Sequence, residues 1–267
     1  MAFPPALSQE TYSLFQSALF QKLKIRCNFS VQYVFHNADH APMITDATLA
    51  FLRDLKSNNN RLWFGEHKTE YQQAYCEMFE TVVQLLAAIS EFDGDIAASH
   101  LDPKSCIMRI NRDIRFSKDK SPYKTNVFAF INKGGKKSPW GGYYLHLEPG
   151  GSFAGGGIYM PEPAVLEQTR REIDAHFGEW QAILADKIFT TQFPEGVLPS
   201  GKLVRPPKGY ECSNPAVEYL KYKGYYTQRF FSDDKVTDPG FVAEVAKSFR
   251  AVNPLVHFLN RALFSMP

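Results

Sequence analysis

The sequence predicts an α+β domain in which a largely antiparallel central sheet is flanked by helices from both ends of the chain. Three observations carry this. Alternating, strand-like stretches are grouped in the middle of the chain, and residues with helical spacing lie on either side of them. Pro149-Gly150-Gly151 joins two of the strand-like stretches, with Pro then Gly in the order a type II turn requires. The chain is 267 residues long, 44% hydrophobic and 14% aromatic, which is the make-up of a packed globular protein with a sizeable core. No internal repeat is visible.

Residues 1–42 differ from the rest of the chain. They hold a short helical pattern at 8–23, a strand-like one at 28–35, and then His36-Asn-Ala-Asp-His40. Immediately after Met43 comes a helix start, with Thr45 as its cap and Leu49, Phe51, Leu52 and Leu55 at helical spacing. Ahead of a domain at 43–267, the expectation is therefore either that Met43 is the natural start or that residues 1–42 form a loosely attached extension. Asn58-Asn59-Asn60 ends the first helix. A longer one is expected through His67, Tyr71, Ala74, Met78, Val82, Leu85 and Ile89, led in by Arg61-Leu-Trp-Phe and closed by Asp93-Gly94.

The middle third reads as strands at 105–116, 124–132, 143–148 and 152–160. Helices come next at 163–177 and 179–187, then a short strand at 202–205. Ser213-Asn214-Pro215 opens a helix through Leu220, since Pro is tolerated in a first turn. Residues 223–231 are strand-like. A last helix begins at Asp238-Pro239, and Asn253-Pro254 is expected to kink or restart it because Pro lacks the N–H.

Charge is distributed unevenly. Between 104 and 137, ten Lys/Arg stand against two Asp, a local +8 in a chain whose total is only +2. Concentrated cations usually face something anionic. The near-neutral total argues against a general polyanion binder. Cys27, Cys76, Cys106 and Cys212 lie far apart, without zinc spacing or disulfide density, which suits a reducing cytoplasm. No run of eighteen apolar residues is present, and the N-terminus lacks a secretory pattern.

Alternation at 105–116 places Ile107, Arg109, Asn111, Asp113 and Arg115 on one face and Met108, Ile110, Arg112, Ile114 and Phe116 on the other. On the polar face, Asp113 would hold the flanking guanidinium groups of Arg109 and Arg115 in place to grip a carboxylate or phosphate. Lys120 and Tyr123 lie in the next loop. Arg112 interrupts the apolar face and needs a carboxylate partner, so it is expected to clamp to a helix carboxylate. Tyr144, His146 and Glu148 share one face of a later strand, where His146 and Glu148 are candidates for acid/base partners or for part of a metal site; two ligands are not a site, and a hydrogen-bonded structural pair is the preferred reading. Gly155-Gly156-Gly157 would either leave bare floor beside His146 or bend the sheet. His36 and His40 have no third ligand in view, and no metal or cofactor is assigned.

Arg109-x-x-Arg112-Asp113-x-Arg115-Phe116-x-x-x-Lys120-x-x-Tyr123 resembles the defining signature of a mainly bacterial family, domain of unknown function 2461. Further stretches resemble it too: Asn58-Asn-Asn-Arg-Leu-Trp-Phe, Tyr143-Tyr-Leu-His-Leu-Glu-Pro-Gly-Gly, Gly155-Gly-Gly-Ile-Tyr-Met-Pro, Tyr222-Lys and Pro254-Leu-Val-x-Phe-Leu-Asn. The likeness spans roughly residues 45–263 and implies a single domain. It implies no activity, cofactor or substrate.

Three functions compete. In the first, an anionic small molecule is gripped by Arg109 and Arg115, oriented by Asp113 and covered by Lys120 and Tyr123, with His146 and Glu148 as catalytic residues if the protein is an enzyme. In the second, Lys118, Lys120, Lys124, Lys133, Lys136 and Lys137 contact nucleic-acid phosphate while Tyr143 or Tyr144 stacks on bases. In the third, the arginines are locked in internal ion pairs and the protein serves interactions alone.

Overall fold

The computed structural model describes residues 43–136 and 138–264. The helix and strand expected at 8–23 and 28–35 lie outside them, as do His36 and His40 and the question of Met43 as the start.

Helix α1 (Asp46–Ser57) begins where the sequence indicates, but Thr45 does not cap it through its side chain. Its Oγ1 donates to Glu77 Oε1 at 2.8 Å and its N–H to Oε2 at 2.9 Å, while Thr48 Oγ1 donates to Oε2 at 2.7 Å. A carboxylate is a stronger acceptor than the hydroxyl's alternatives, so Thr45 turns towards Glu77 and ties the start of α1 to the next long helix. The expected long helix is two: α2 (Arg61–Glu66) and α3 (Lys68–Ser90). Asn60 caps α2 by accepting from the Trp63 N–H at 3.0 Å. The break falls at His67, whose ring stacks on Trp63 at 3.9 Å and whose Nδ1 bonds the Trp63 carbonyl. Two short helices, α4 (Gly94–Ser99) and α5 (Pro103–Cys106), come next, each capped by the aspartate before it.

The sheet has five antiparallel strands: β1 (Val127–Ile131), β2 (Gly142–Leu147), β3 (Ser152–Ile158), β4 (Tyr225–Tyr226) and β5 (Arg229–Phe231). They run in the order β1-β2-β3-β4, and β5 also pairs with β3. The β2–β3 turn has Gly150 at φ +71° and a Gly151 N–H to Glu148 carbonyl bond of 2.9 Å, as a type II turn requires. Residues 202–205 form only a bridge from Lys202 to Tyr222, and the expected strand at 223–231 is split into β4 and β5. Helices α6 (Pro163–Ala175), α7 (Phe177–Ala185), α8 (Lys187–Gln192), α9 (Val217–Leu220) and α10 (Asp233–Val236) fill the chain around these strands. Helix α11 (Phe241–Phe264) runs unbroken through Pro254, contrary to a restart there. It is buried along Val245, Phe249, Val252, Val256 and Leu259, and this burial outweighs the one N–H that Pro withholds.

Strand alternation gives the sheet two unlike faces. Val127, Ala129, Ile131, Tyr143, Leu145, Leu147 and Ala154 are buried in the hydrophobic core that α3 and α11 complete. The opposite face carries a row of rings in register across four strands: Phe128, His146, Phe153 and Phe230. The triple glycine is needed for close packing, not as an empty floor. A Cβ on Gly155 would lie 2.0 Å from the Thr227 carbonyl oxygen, and one on Gly157 (φ +132°) 2.2 Å from that of Tyr225. The chain 225–227 can approach β3 only because nothing projects there.

Between the helices and sheet lies a buried polar junction. Asp93, 3% exposed, caps α4 by accepting from the Asp95 and Ile96 N–H groups. Its other oxygen accepts from the Tyr143 hydroxyl at 2.6 Å, which in turn accepts from Asn253 Nδ2 at 2.7 Å. Burial, followed by the nearby Asp93 charge, raises the Tyr143 pKa strongly, so the phenol keeps its proton.

Candidate functional site

The arginine-bearing stretch is not the strand its alternation suggests. Ile107 bridges to Ala129 and Asn111 to Tyr123, with no ladder between them. From 107 to 111 the chain advances four residues, whereas its partner advances six between 123 and 129. Two surplus residues bulge the partner and break the pairing. Isolated bonds remain: Met108 N–H to the Phe128 carbonyl, Lys124 N–H to the Ile110 carbonyl and Arg112 N–H to the Pro122 carbonyl. Exposure still alternates over part of the stretch, with Arg109, Asn111, Asp113 and Arg115 exposed and Ile110 buried. Ile107 is buried too, on what should be the polar face, and Phe116 is 93% exposed on what should be the apolar one.

Beyond Ile110 the chain is a loop whose charges satisfy one another. Arg112 pairs with Asp119 and donates to the Ser121 carbonyl at 3.2 Å, so its partner is a loop carboxylate and not a helix one. Asp119 also accepts from the Ser121 N–H and hydroxyl. The Ser121 hydroxyl, its N–H and then Arg112 hold the Asp119 carboxyl down at about 2. Arg115 forms a two-pronged pair with Asp113, Nε to Oδ1 at 2.9 Å and Nη2 to Oδ2 at 2.7 Å, which lowers the Asp113 pKa. Asp113 thus engages one arginine fully instead of orienting two. Lys120 Nζ donates to the Ile114 carbonyl at 2.9 Å. Tyr123 packs its ring on Phe64 at 3.9 Å, and Asn59 brackets its peptide, Nδ2 to the carbonyl at 2.9 Å and Oδ1 from the N–H at 3.1 Å. Two stretches that carry the family likeness therefore meet through Asn59 and Tyr123.

Arg109 is different. It is exposed, and among the described residues it makes no ion pair. Lys124 lies against it, because the Lys124 N–H bonds the carbonyl of the residue next to Arg109. Lys136 reaches in from after β1, its Nζ 3.2 Å from the Ile107 carbonyl. Partial burial, and then the charges of Arg109 and Lys136, hold the Lys124 ammonium below the ordinary lysine range. Lys124 likewise has no carboxylate partner among the described residues. Arg109 and Lys136 both repel Lys124, and the Asp113 carboxylate, bonded to Arg115, offsets part of the Arg109 charge.

His146 and Glu148 do share a face and bond to each other, Nε2 to Oε2 at 3.1 Å. The imidazole lies flat on Phe153 at 4.5 Å and edge-on to Phe128 at 6.0 Å. The remaining Glu148 oxygen is 3.9 Å from Lys56 on α1. Among the described residues, neither His146 nor Glu148 bonds to Arg109, Arg115, Lys120 or Tyr123. No cluster of three or more His, Cys, Asp or Glu suitable for a metal occurs among the described residues. None of the described helices is long and apolar enough to cross a membrane.

Sequence reasoning missed a groove of about 600 Å3 on the aromatic side of the sheet. Phe128, Phe130 and Tyr144 line it beside Met108, with Lys136 and Trp140 on one side and Tyr159 and Met160 on another. The signal was present in β1: its second alternating set, Phe128 and Phe130, is aromatic where a solvated face would be polar.

No curated protein matches the chain, and neither does any solved structure. Residues 47–258 match the protein-family model described as "Conserved hypothetical protein (DUF2461)", most of the chain lies within that match, and the chain belongs to this family.

Proposed function

We propose that the protein binds a small anionic ligand, bearing phosphate or carboxylate, at Arg109, Lys124 and Lys136. The observation that carries this reading is the convergence of three cations on one short stretch of backbone, none of them with an ion-pair partner among the described residues. Keeping like charges together costs free energy that a bound anion returns. Arg109 supplies the planar fork suited to two oxygens; the lysines supply compact charge. Arg115, Asp113, Lys120 and Tyr123 are read as the scaffold of the adjoining loop, since each is already engaged within it or against Phe64 and Asn59. Arg112 holds the loop closed. His146 and Glu148 are read as a structural pair that braces the β2–β3 turn.

Titration calorimetry with inorganic phosphate and a set of small carboxylates tests the reading. Arg109→Ala and Lys124→Met should each weaken binding at least tenfold, while Arg115→Ala leaves it within twofold. Parent-like binding by Arg109→Ala and Lys124→Met would sink the proposal.

A further inference from the structure

We infer that the groove on the aromatic face takes the body of the same ligand, so that the protein selects aromatic anions over aliphatic ones of equal charge. This rests on the anion-binding reading above and deepens it. Lys136 belongs to both places: its ammonium meets the Ile107 carbonyl within the cation cluster, and its side chain lines the groove. Lys136 is the cation that joins the two places: an anionic group it holds has the groove beside it.

The groove has the size of a small-molecule site, and its lining is mixed: aromatic rings and methionines, with Lys136, Ser138 and Glu162 among them. Its floor is built of flat rings, Phe128 lying nearly parallel to Tyr144 at 6.2 Å with an interplanar angle of 20°. Tyr144 is buried beneath, and the half-buried rings of Phe128 and Phe130 are the ones left partly open for another aromatic system to stack on in offset fashion. Along one wall, Tyr159 is 61% and Met160 69% exposed, large side chains left in water at the edge of an apolar floor. Met160 also holds a positive φ of 50°, a backbone state that a bulky residue rarely adopts. Strain of this kind tends to accompany ligand-binding positions, and here it aims a polarisable thioether at the groove. An aliphatic chain would gain burial in such a site but not the ring-to-ring contact.

The test uses the full chain and three probes: 1-naphthyl phosphate, glycerol 1-phosphate and uncharged 1-naphthol. The expected result is that naphthyl phosphate binds at least tenfold more tightly than glycerol phosphate and quenches the fluorescence of Trp140. Tyr159→Ala and Met160→Ala should bring naphthyl phosphate down towards the aliphatic ester without affecting the latter, whereas Arg109→Ala weakens both esters. Trp63→Phe, at a ring outside the groove, should keep both the binding and the quenching, which assigns the signal to the groove. Equal affinity for the two esters, both lost in Arg109→Ala, would overturn the aromatic selection and leave the anion site standing. If naphthol binds as tightly as its phosphate and Arg109→Ala changes nothing, the anion site falls and this inference with it.

Discussion

Replacing Tyr143 by Phe removes one oxygen from the buried junction at Asp93, and its cost can be worked from the contacts. The hydroxyl makes a 2.6 Å bond to a carboxylate and accepts a 2.7 Å bond from Asn253. A bond to a charged acceptor contributes about 1.5–3 kcal/mol, and an unsatisfied buried N–H on Asn253 costs about 1–3 kcal/mol more. Part of that is recovered, because Asn253 Nδ2 already lies 3.5 Å from the same carboxylate oxygen and can close on it. The net expectation is about 3 kcal/mol, or a fall of about 6–12 °C in Tm for a domain of this size. Urea denaturation should show a lower midpoint with an unchanged slope, since the surface exposed on unfolding is the same. In a double-mutant cycle with Asn253→Ala, the two changes should couple by about 1 kcal/mol or more. A loss below about 0.5 kcal/mol, with no coupling, would refute the claim that this junction fastens β2 to α11.

Three other outcomes are expected from the site. Asn59→Ala removes both bonds to the Tyr123 peptide and should cost about 1–2 kcal/mol, read as a lowered urea midpoint, with faster amide exchange at Tyr123. The Asp119 carboxyl is depressed to about 2 from an ordinary 3.8, so its contribution to holding the loop is complete above 3.8 and is lost as pH falls through about 2; the protection of the Ser121 amide relative to its intrinsic exchange rate should fall across that interval and stay constant above it. Lys124 has a lowered pKa, so in the folded protein it sheds its proton earlier than in the unfolded chain, and stability rises with pH between its depressed value and the ordinary 10.5. A bound anion restores that proton: calorimetry in buffers of different ionisation enthalpy should show proton uptake in this alkaline window, and affinity should fall as pH climbs through it.

Much of the fold was legible because long periodic segments announce themselves. α1, α3, α11 and the β1–β2–β3 meander come from spacing and from one Pro-Gly turn, where local preference and tertiary packing agree. Errors cluster where a long-range partner decides. Nothing local shows that Glu77 will claim Thr45, that His67 will fold back on Trp63, or that buried packing will carry α11 past Pro254. The stretch from Arg109 to Arg115 misled for a definite reason: exposure alternates there, but the partner carries two surplus residues, and a bulge on another segment is invisible to a period-two count. For the candidate site, the stretch of local charge excess contains Arg109, Lys124 and Lys136, the cations of the proposed site, and Arg109 stood among the residues named from sequence. Which cations stay unengaged depends on pairs such as Arg115 with Asp113 and Arg112 with Asp119. These are settled by how the loop closes, not by spacing. The groove was hidden because its walls come from segments some thirty residues apart, Met108 on one side and Trp140 to Met160 on the other.

Asn59 offers its amide to Tyr123 as a neighbouring strand would offer a peptide, one acceptor and one donor to the same residue. Together with the bonds from Lys124 to Ile110 and from Arg112 to Pro122, this seals the neck of the loop below residue 113. The tip of the loop, 116–118, lies between the two ion pairs and outside both of them. Exchanging 116–118 for a glycine–serine run of equal or greater length should therefore leave phosphate affinity untouched, making this tip a natural place to graft a reporter or a tether without disturbing the cations below.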